Sequence, residues 1–102
     1  MNQLDLIAKK LLEKREEKVI IDFRPIGKTP ILSKSSWTIN GNNTISDIIN
    51  LLKDDIRTEE DIYLYINSSL EPNKDENISD LYMIFNKEGK LCISYSTKPS
   101  FL

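Results

Sequence analysis

The chain has 102 residues, enough for one domain with a real but modest core, and its 39% apolar and 29% charged residues are a globular balance. A formal net charge of −2 leaves no basic excess, which disfavours a nucleic-acid backbone or an anionic membrane surface as partner. Histidine is absent, so the commonest general base and metal ligand are missing, and the single Cys92 excludes an internal disulfide or a Cys-cluster zinc site.

Residues 4–17 predict an amphipathic helix. Leu4, Ile7, Ala8, Leu11 and Leu12 form one stripe, and Lys9, Lys10, Glu13, Lys14 and Glu17 fill the other side. This helix either packs on its own domain or docks as an arm on a partner. Residues 18–24 predict a strand by alternation, with Val19, Ile21 and Phe23 on one face. Pro25, Gly27 and Pro30 then break the pattern into an irregular loop. The returning strand is expected over 32–40, with Trp37 and Ile39 on one face, closed by the Asn40-Gly41 turn signal.

Thr44 is a candidate N-cap with Asp47 three residues on. The helix it opens buries Ile45, Ile48, Ile49, Leu52 and Ile56. Residues 61–66 predict a third strand, and 67–77 a polar loop. Ser79 is expected to cap a short helix over 80–85, ended by Gly89. The last strand spans 90–95, with Leu91, Ile93 and Tyr95 on one face.

The order is strand, strand, helix, strand, short helix, strand. It predicts an α+β fold of the β-grasp type, a four-stranded mixed sheet crossed by one main helix. Val19, Ile21, Phe23, Ile66, Leu91 and Ile93 would share its core, each contributing about 1.5–3 kcal/mol on burial. The expected boundaries are an N-terminal helix over 1–17, the folded domain over 18–95 and a tail over 96–102.

No catalytic constellation emerges. Asp54-Asp55, Glu59-Glu60-Asp61 and Asp75-Glu76 lack cation-loop spacing and read as solvated charge. The widely spaced glycines form no phosphate loop. Cys92 lies mid-strand without a histidine, and Ser33, Ser35 and Ser36 have no base to activate them. No metal or other cofactor is expected, and a small enzyme is disfavoured. No apolar run approaches the roughly 20 residues of a membrane span, and residues 1–10 lack a signal-peptide core. A cytoplasmic protein without direct membrane insertion is expected. Sequons at Asn42, Asn67 and Asn77 read as accidents of an Asn-rich composition.

Several segments, in order, resemble one family. Residues 23–32, Phe-Arg-Pro-Ile-Gly-Lys-Thr-Pro-Ile-Leu, are similar to the ΦxxIGxxPIL start of the autophagy-related protein 12 family, the ubiquitin-like modifiers of autophagy. Trp37 sits at the family's second-strand aromatic. The segment from Ile62 to Pro72, continued by Asp75-Glu76, is similar to FxYVNxxFxPxPDE. Leu81-Tyr82, Phe85 and Gly89-Lys90-Leu91 resemble LYxxFxxxGKL, and Tyr95 matches the last-strand tyrosine.

The resemblance implies a β-grasp fold and no catalysis by the chain itself. It implies a complex with autophagy-related protein 5 and, through it, autophagy-related protein 16. That complex recruits the conjugating enzyme autophagy-related protein 3 and promotes lipidation of autophagy-related protein 8 at the preautophagosomal membrane. Family members carry a glycine after the tail aromatic. Here Phe101 fits the aromatic and Leu102 follows it. Leucine adds a branched side chain where a tail must thread an activating enzyme and glycine has none. The expectation is therefore non-covalent binding of autophagy-related protein 5, with Tyr95, Phe101 and Leu102 as contacts. The resemblance also implies a site for autophagy-related protein 3 at Lys18 and Trp37, with Ser36 where some members have a lysine. A covalent modifier, or a ubiquitin-like adaptor outside autophagy, are the alternatives.

Overall fold

The computed structural model describes residues 17–99. The predicted N-terminal helix, apart from Glu17, and the tail residues 100–102 lie outside them. The elements run β1 (Lys18–Pro25), β2 (Ser36–Asn40), α1 (Ile45–Ile56), β3 (Tyr63–Ile66), α2 (Ile78–Phe85) and β4 (Leu91–Ser96). They form one four-stranded sheet in the order β2-β1-β4-β3. β1 pairs antiparallel with β2 and parallel with β4, and β3 pairs antiparallel with β4. This is the predicted β-grasp arrangement.

Alternation in the strands sends one set of side chains to a single core. Val19, Ile21, Phe23, Ile39, Leu64, Ile66, Leu91, Ile93 and Tyr95 are buried there with Ile45, Ile48 and Leu52 of α1. Ile49 and Ile56 are only half-buried and pack at its margin. The predicted capping box is present. The Asp47 amide donates to Thr44 Oγ1 at 3.2 Å, and the Thr44 amide donates to Asp47 Oδ2 at 2.9 Å. Arg57 ends the helix in a left-handed conformation, its N–H donating to Lys53 O.

The two helix N-termini satisfy one another's loops. The first amides of a helix have no partner within it. Here the Ile45 and Ser46 amides donate to Glu76 O and Lys74 O, at 3.0 and 2.9 Å, and the Ile78 and Ser79 amides donate to Asn43 O and Gly41 O, at 2.9 and 3.0 Å.

Several boundaries differ from expectation. β2 begins at Ser36, four residues later than predicted, because side chains rather than a strand ladder hold the preceding loop. β3 is shorter than expected and starts at Tyr63. α2 starts at Ile78 and is capped by Asn77, whose Oδ1 accepts from the Ser79 amide at 3.0 Å. Ser79 is buried inside the first turn, and its hydroxyl donates to the same oxygen at 2.6 Å. Gly89 does not end the helix. Asn86 does, and Glu88 (φ 53°) with Gly89 (φ 81°) forms a tight turn closed by the Lys87 and Lys90 backbones. Two consecutive positive φ values match the hairpin turn whose twist suits the flanking strands. β4 runs one residue beyond the predicted domain boundary, to Ser96.

Candidate partner-binding surfaces

β2 is an edge strand, and Trp37 stands in it. Its ring is half-buried and meets Phe23 edge-on, with centroids 5.4 Å apart and planes at 77°. Its indole N–H donates to Lys34 O at 2.6 Å. Trp37 is therefore partly core and partly available. Lys18 is exposed at the start of β1. The register places Lys18 opposite Asn40 and Trp37 opposite Ile21, three rungs away. At about 3.4 Å per rung that is ~10 Å. The odd spacing puts the two side chains on opposite faces of the sheet. No single side chain of a partner meets both, whereas an extended segment laid along the β2 edge sends alternate side chains to both faces. Ser36 is exposed, and its hydroxyl donates to Asp22 Oδ1 at 2.6 Å.

The loop before this edge is held at several points. The Ile26 amide donates to Tyr95 O at 2.9 Å and the Phe23 amide to Ser35 O at 2.8 Å. The Tyr95 hydroxyl donates to Pro30 O at 3.0 Å and accepts from the Leu32 amide at 3.2 Å. Burial pushes the Tyr95 hydroxyl pKa up. Farther on, the Ser33 amide and hydroxyl both donate to the Asp55 carboxylate, at 2.8 and 2.6 Å, which ties the loop to the end of α1. The Ser33 hydroxyl and then its amide hold the Asp55 pKa below its usual value.

This geometry corrects the reading of Tyr95. With 1% of its surface exposed, the side chain offers nothing to a partner and instead positions the loop leading to Trp37. Asp55 is likewise a loop clasp rather than free charge. Residues 33 and 55 stand far apart in the chain, so no local pattern marks the clasp. Ile31, an exposed apolar side chain on the loop, was also not singled out by the sequence pattern. Phe101 and Leu102 lie outside the described residues.

Among the described residues, no group of three or more Cys, Asp or Glu side chains is placed to hold a metal ion, and no helix is long and apolar enough to cross a membrane. Cys92 is half-buried on the sheet face away from α1.

Comparison with known proteins decides the family. The profile described as "Ubiquitin-like autophagy protein Apg12" matches residues 18–101. The chain belongs to this ATG12 family. Its relatives include a ubiquitin-like protein ATG12 from Oryza sativa subsp. indica, 38% identical over 82 residues, covering 80% of this chain and 87% of the relative. One from Medicago truncatula is 35% identical over 79 residues, 78% of this chain and 82% of the relative. The Mus musculus protein is 29% identical over 82 residues, 78% of this chain and 58% of its own. The ATG12 profile thus takes in the whole sheet, both helices and Phe101, and its matched span stops before Leu102.

Proposed function

We propose that the protein is a non-catalytic ubiquitin-like subunit that binds autophagy-related protein 5 non-covalently. In this reading Phe101 and Leu102 are apolar contacts for that partner, and autophagy-related protein 16 joins through it. Trp37 on the β2 edge and Lys18 at the start of the neighbouring β1 take an extended segment of autophagy-related protein 3. The assembly favours lipidation of autophagy-related protein 8. The protein is cytoplasmic and reaches the preautophagosomal membrane as part of the complex.

One observation carries the reading. The family's profile matches residues 18–101, and Leu102 follows the aromatic Phe101 where the resemblance implies a glycine. The glycines of the chain serve turns instead. Gly27 and Gly89 have φ of 60° and 81°, and Gly41 is buried between β2 and α1. A stable non-covalent contact typically buries about 1,200–2,000 Å² around aromatic anchors, so a tail aromatic alone is not enough and the folded body must contribute.

The test is co-expression of the full chain with its cognate autophagy-related protein 5, followed by size-exclusion chromatography and a denaturing gel. Co-elution that resolves into two bands supports the proposal. A single band at the summed mass refutes non-covalent binding, and separate elution moves the reading to an adaptor outside autophagy.

A further inference from the structure

An apolar groove of about 150 Å³ opens between the start of β1 and one side of α2. Glu17, Lys18 and Val19 line it from the strand, and Ser79, Tyr82 and Met83 from the helix. The three helix residues meet there because positions three and four apart stack on one side of a helix. Val19 and Ser79 are buried and Tyr82 is half-buried, whereas Met83 is 59% exposed. A volume of this size takes one large apolar side chain. Methionine is unbranched and adapts to whatever packs on it.

The chain itself supplies an occupant. The described residues begin at Glu17, which lines the groove. Its carbonyl accepts from the Gly41 amide at 2.8 Å, so the chain enters β1 from a fixed point. Immediately before that point comes the segment 4–16, whose stripe is Leu4, Ile7, Ala8, Leu11 and Leu12. As a helix, Leu4 to Leu12 spans about 12 Å, the length of the 8-residue α2. A lone helix of this length is marginal in water, and packing of its apolar stripe supplies most of its stability. A segment tethered at the mouth of the groove also meets it at an effective concentration on the order of millimolar, which a free competitor must exceed.

We propose that residues 4–16 fold back as a helix along α2, with Leu11 and Leu12 seated against Met83 and Tyr82. Lys9, Lys10, Glu13 and Lys14, on the other side of the segment, then face water. One contact covers both the arm's apolar stripe and the methionine that α2 leaves exposed. The inference needs no partner protein. Lys18, which the proposed function gives to a partner, borders the groove, so the docked arm lies beside that contact.

The test is NMR of the full chain alone, methyl-labelled at methionine and leucine. Met1 and Met83 are the only methionines, so the Met83 methyl is one of two signals. Through-space contacts from it to the Leu11 and Leu12 methyls are expected. Amide exchange over residues 8–12 should be slowed at least about tenfold against an unstructured chain, more than a marginal lone helix sustains. The double substitution Leu11→Asp with Leu12→Asp should abolish both effects and shift the Met83 methyl. Neither residue belongs to the core, and unchanged signals from β1 to β4 verify folding. Missing contacts at Met83, or a Met83 methyl that the double variant leaves in place, overturn the proposal. Contacts seen only between labelled and unlabelled chains make the groove an interface between copies and overturn it as well. No partner is present in this experiment, so its failure is distinct from a failure to bind autophagy-related protein 5.

Discussion

Substituting Tyr95→Phe isolates the hydroxyl that holds the loop before β2. The ring remains to pack edge-on against Phe23, at 6.3 Å and 80°, so little apolar contact is lost. What goes is the acceptor for the Leu32 amide and the donor to Pro30 O. Leu32 is buried, at 5% exposure, so its N–H finds no water in exchange. Pro30 is exposed, and its carbonyl can be hydrated. One buried donor left bare costs about 1–3 kcal/mol, and the second bond adds about 0.5–1 kcal/mol. We therefore expect a loss of about 2 kcal/mol in urea unfolding at pH 7, with an unchanged m value. The midpoint of thermal unfolding should fall by roughly 8–16 °C.

The pH dependence provides a second check. The folded pKa of Tyr95 is raised above its unfolded value of 10.0. Its contribution is full below that value and is lost as pH climbs through the raised pKa. The stability gap between wild type and Y95F should thus narrow above pH 10. A gap under about 0.5 kcal/mol at neutral pH, within the range of an ordinary surface change, would show that the hydroxyl does not hold the loop.

Asp55→Ala removes the Ser33 clasp and should destabilise the protein at pH 7. The folded Asp55 pKa lies below its unfolded 3.8, so the clasp contributes fully above 3.8 and fades as pH falls through the depressed value. Acid titration of the wild-type and D55A stabilities should show their gap closing below 3.8, and a constant gap contradicts this role. Gly89→Ala meets only Tyr82 Oη at 3.8 Å, so space is adequate and the left-handed φ alone opposes it. A loss of about 1–2 kcal/mol by chemical denaturation is expected. Phe101→Ala should weaken co-elution with autophagy-related protein 5 while leaving the thermal midpoint unchanged. Full binding after deletion of residues 98–102 would remove the tail from the interface.

Periodicity carried the fold because its strongest signals coincide with burial. Val19, Ile21 and Phe23 alternate into the core, and the Thr44-Asp47 capping box forms as spaced. Errors arose where one residue type serves two purposes. Leu32 reads as strand because it is apolar, yet its amide goes to a tyrosine hydroxyl rather than to a ladder. Asn77 and Ser79 both suit a helix cap, and the backbone bridge between Asn77 and Thr44 places the first of them at the start. Gly89 suits a helix end and a hairpin alike, and the Lys87–Lys90 closure takes it for the hairpin. At the candidate sites, the residue types of Lys18 and Trp37 were legible, but their placement on opposite faces needed the register. The burial of the Tyr95 hydroxyl was invisible for a related reason. Its partners, residues 30 and 32, belong to a remote loop.

The parallel pairing of β1 with β4 has a mechanical consequence. The first described strand and the last lie side by side and point the same way. Tension applied between the start of β1 and the end of β4 therefore loads their ladder in shear, and its hydrogen bonds must yield together. The antiparallel β1 and β2 hairpin, pulled at its two open ends, would instead unzip one rung at a time. A force applied between the start of β1 and the end of β4 thus meets the shear geometry of a parallel ladder rather than the unzipping geometry of a hairpin.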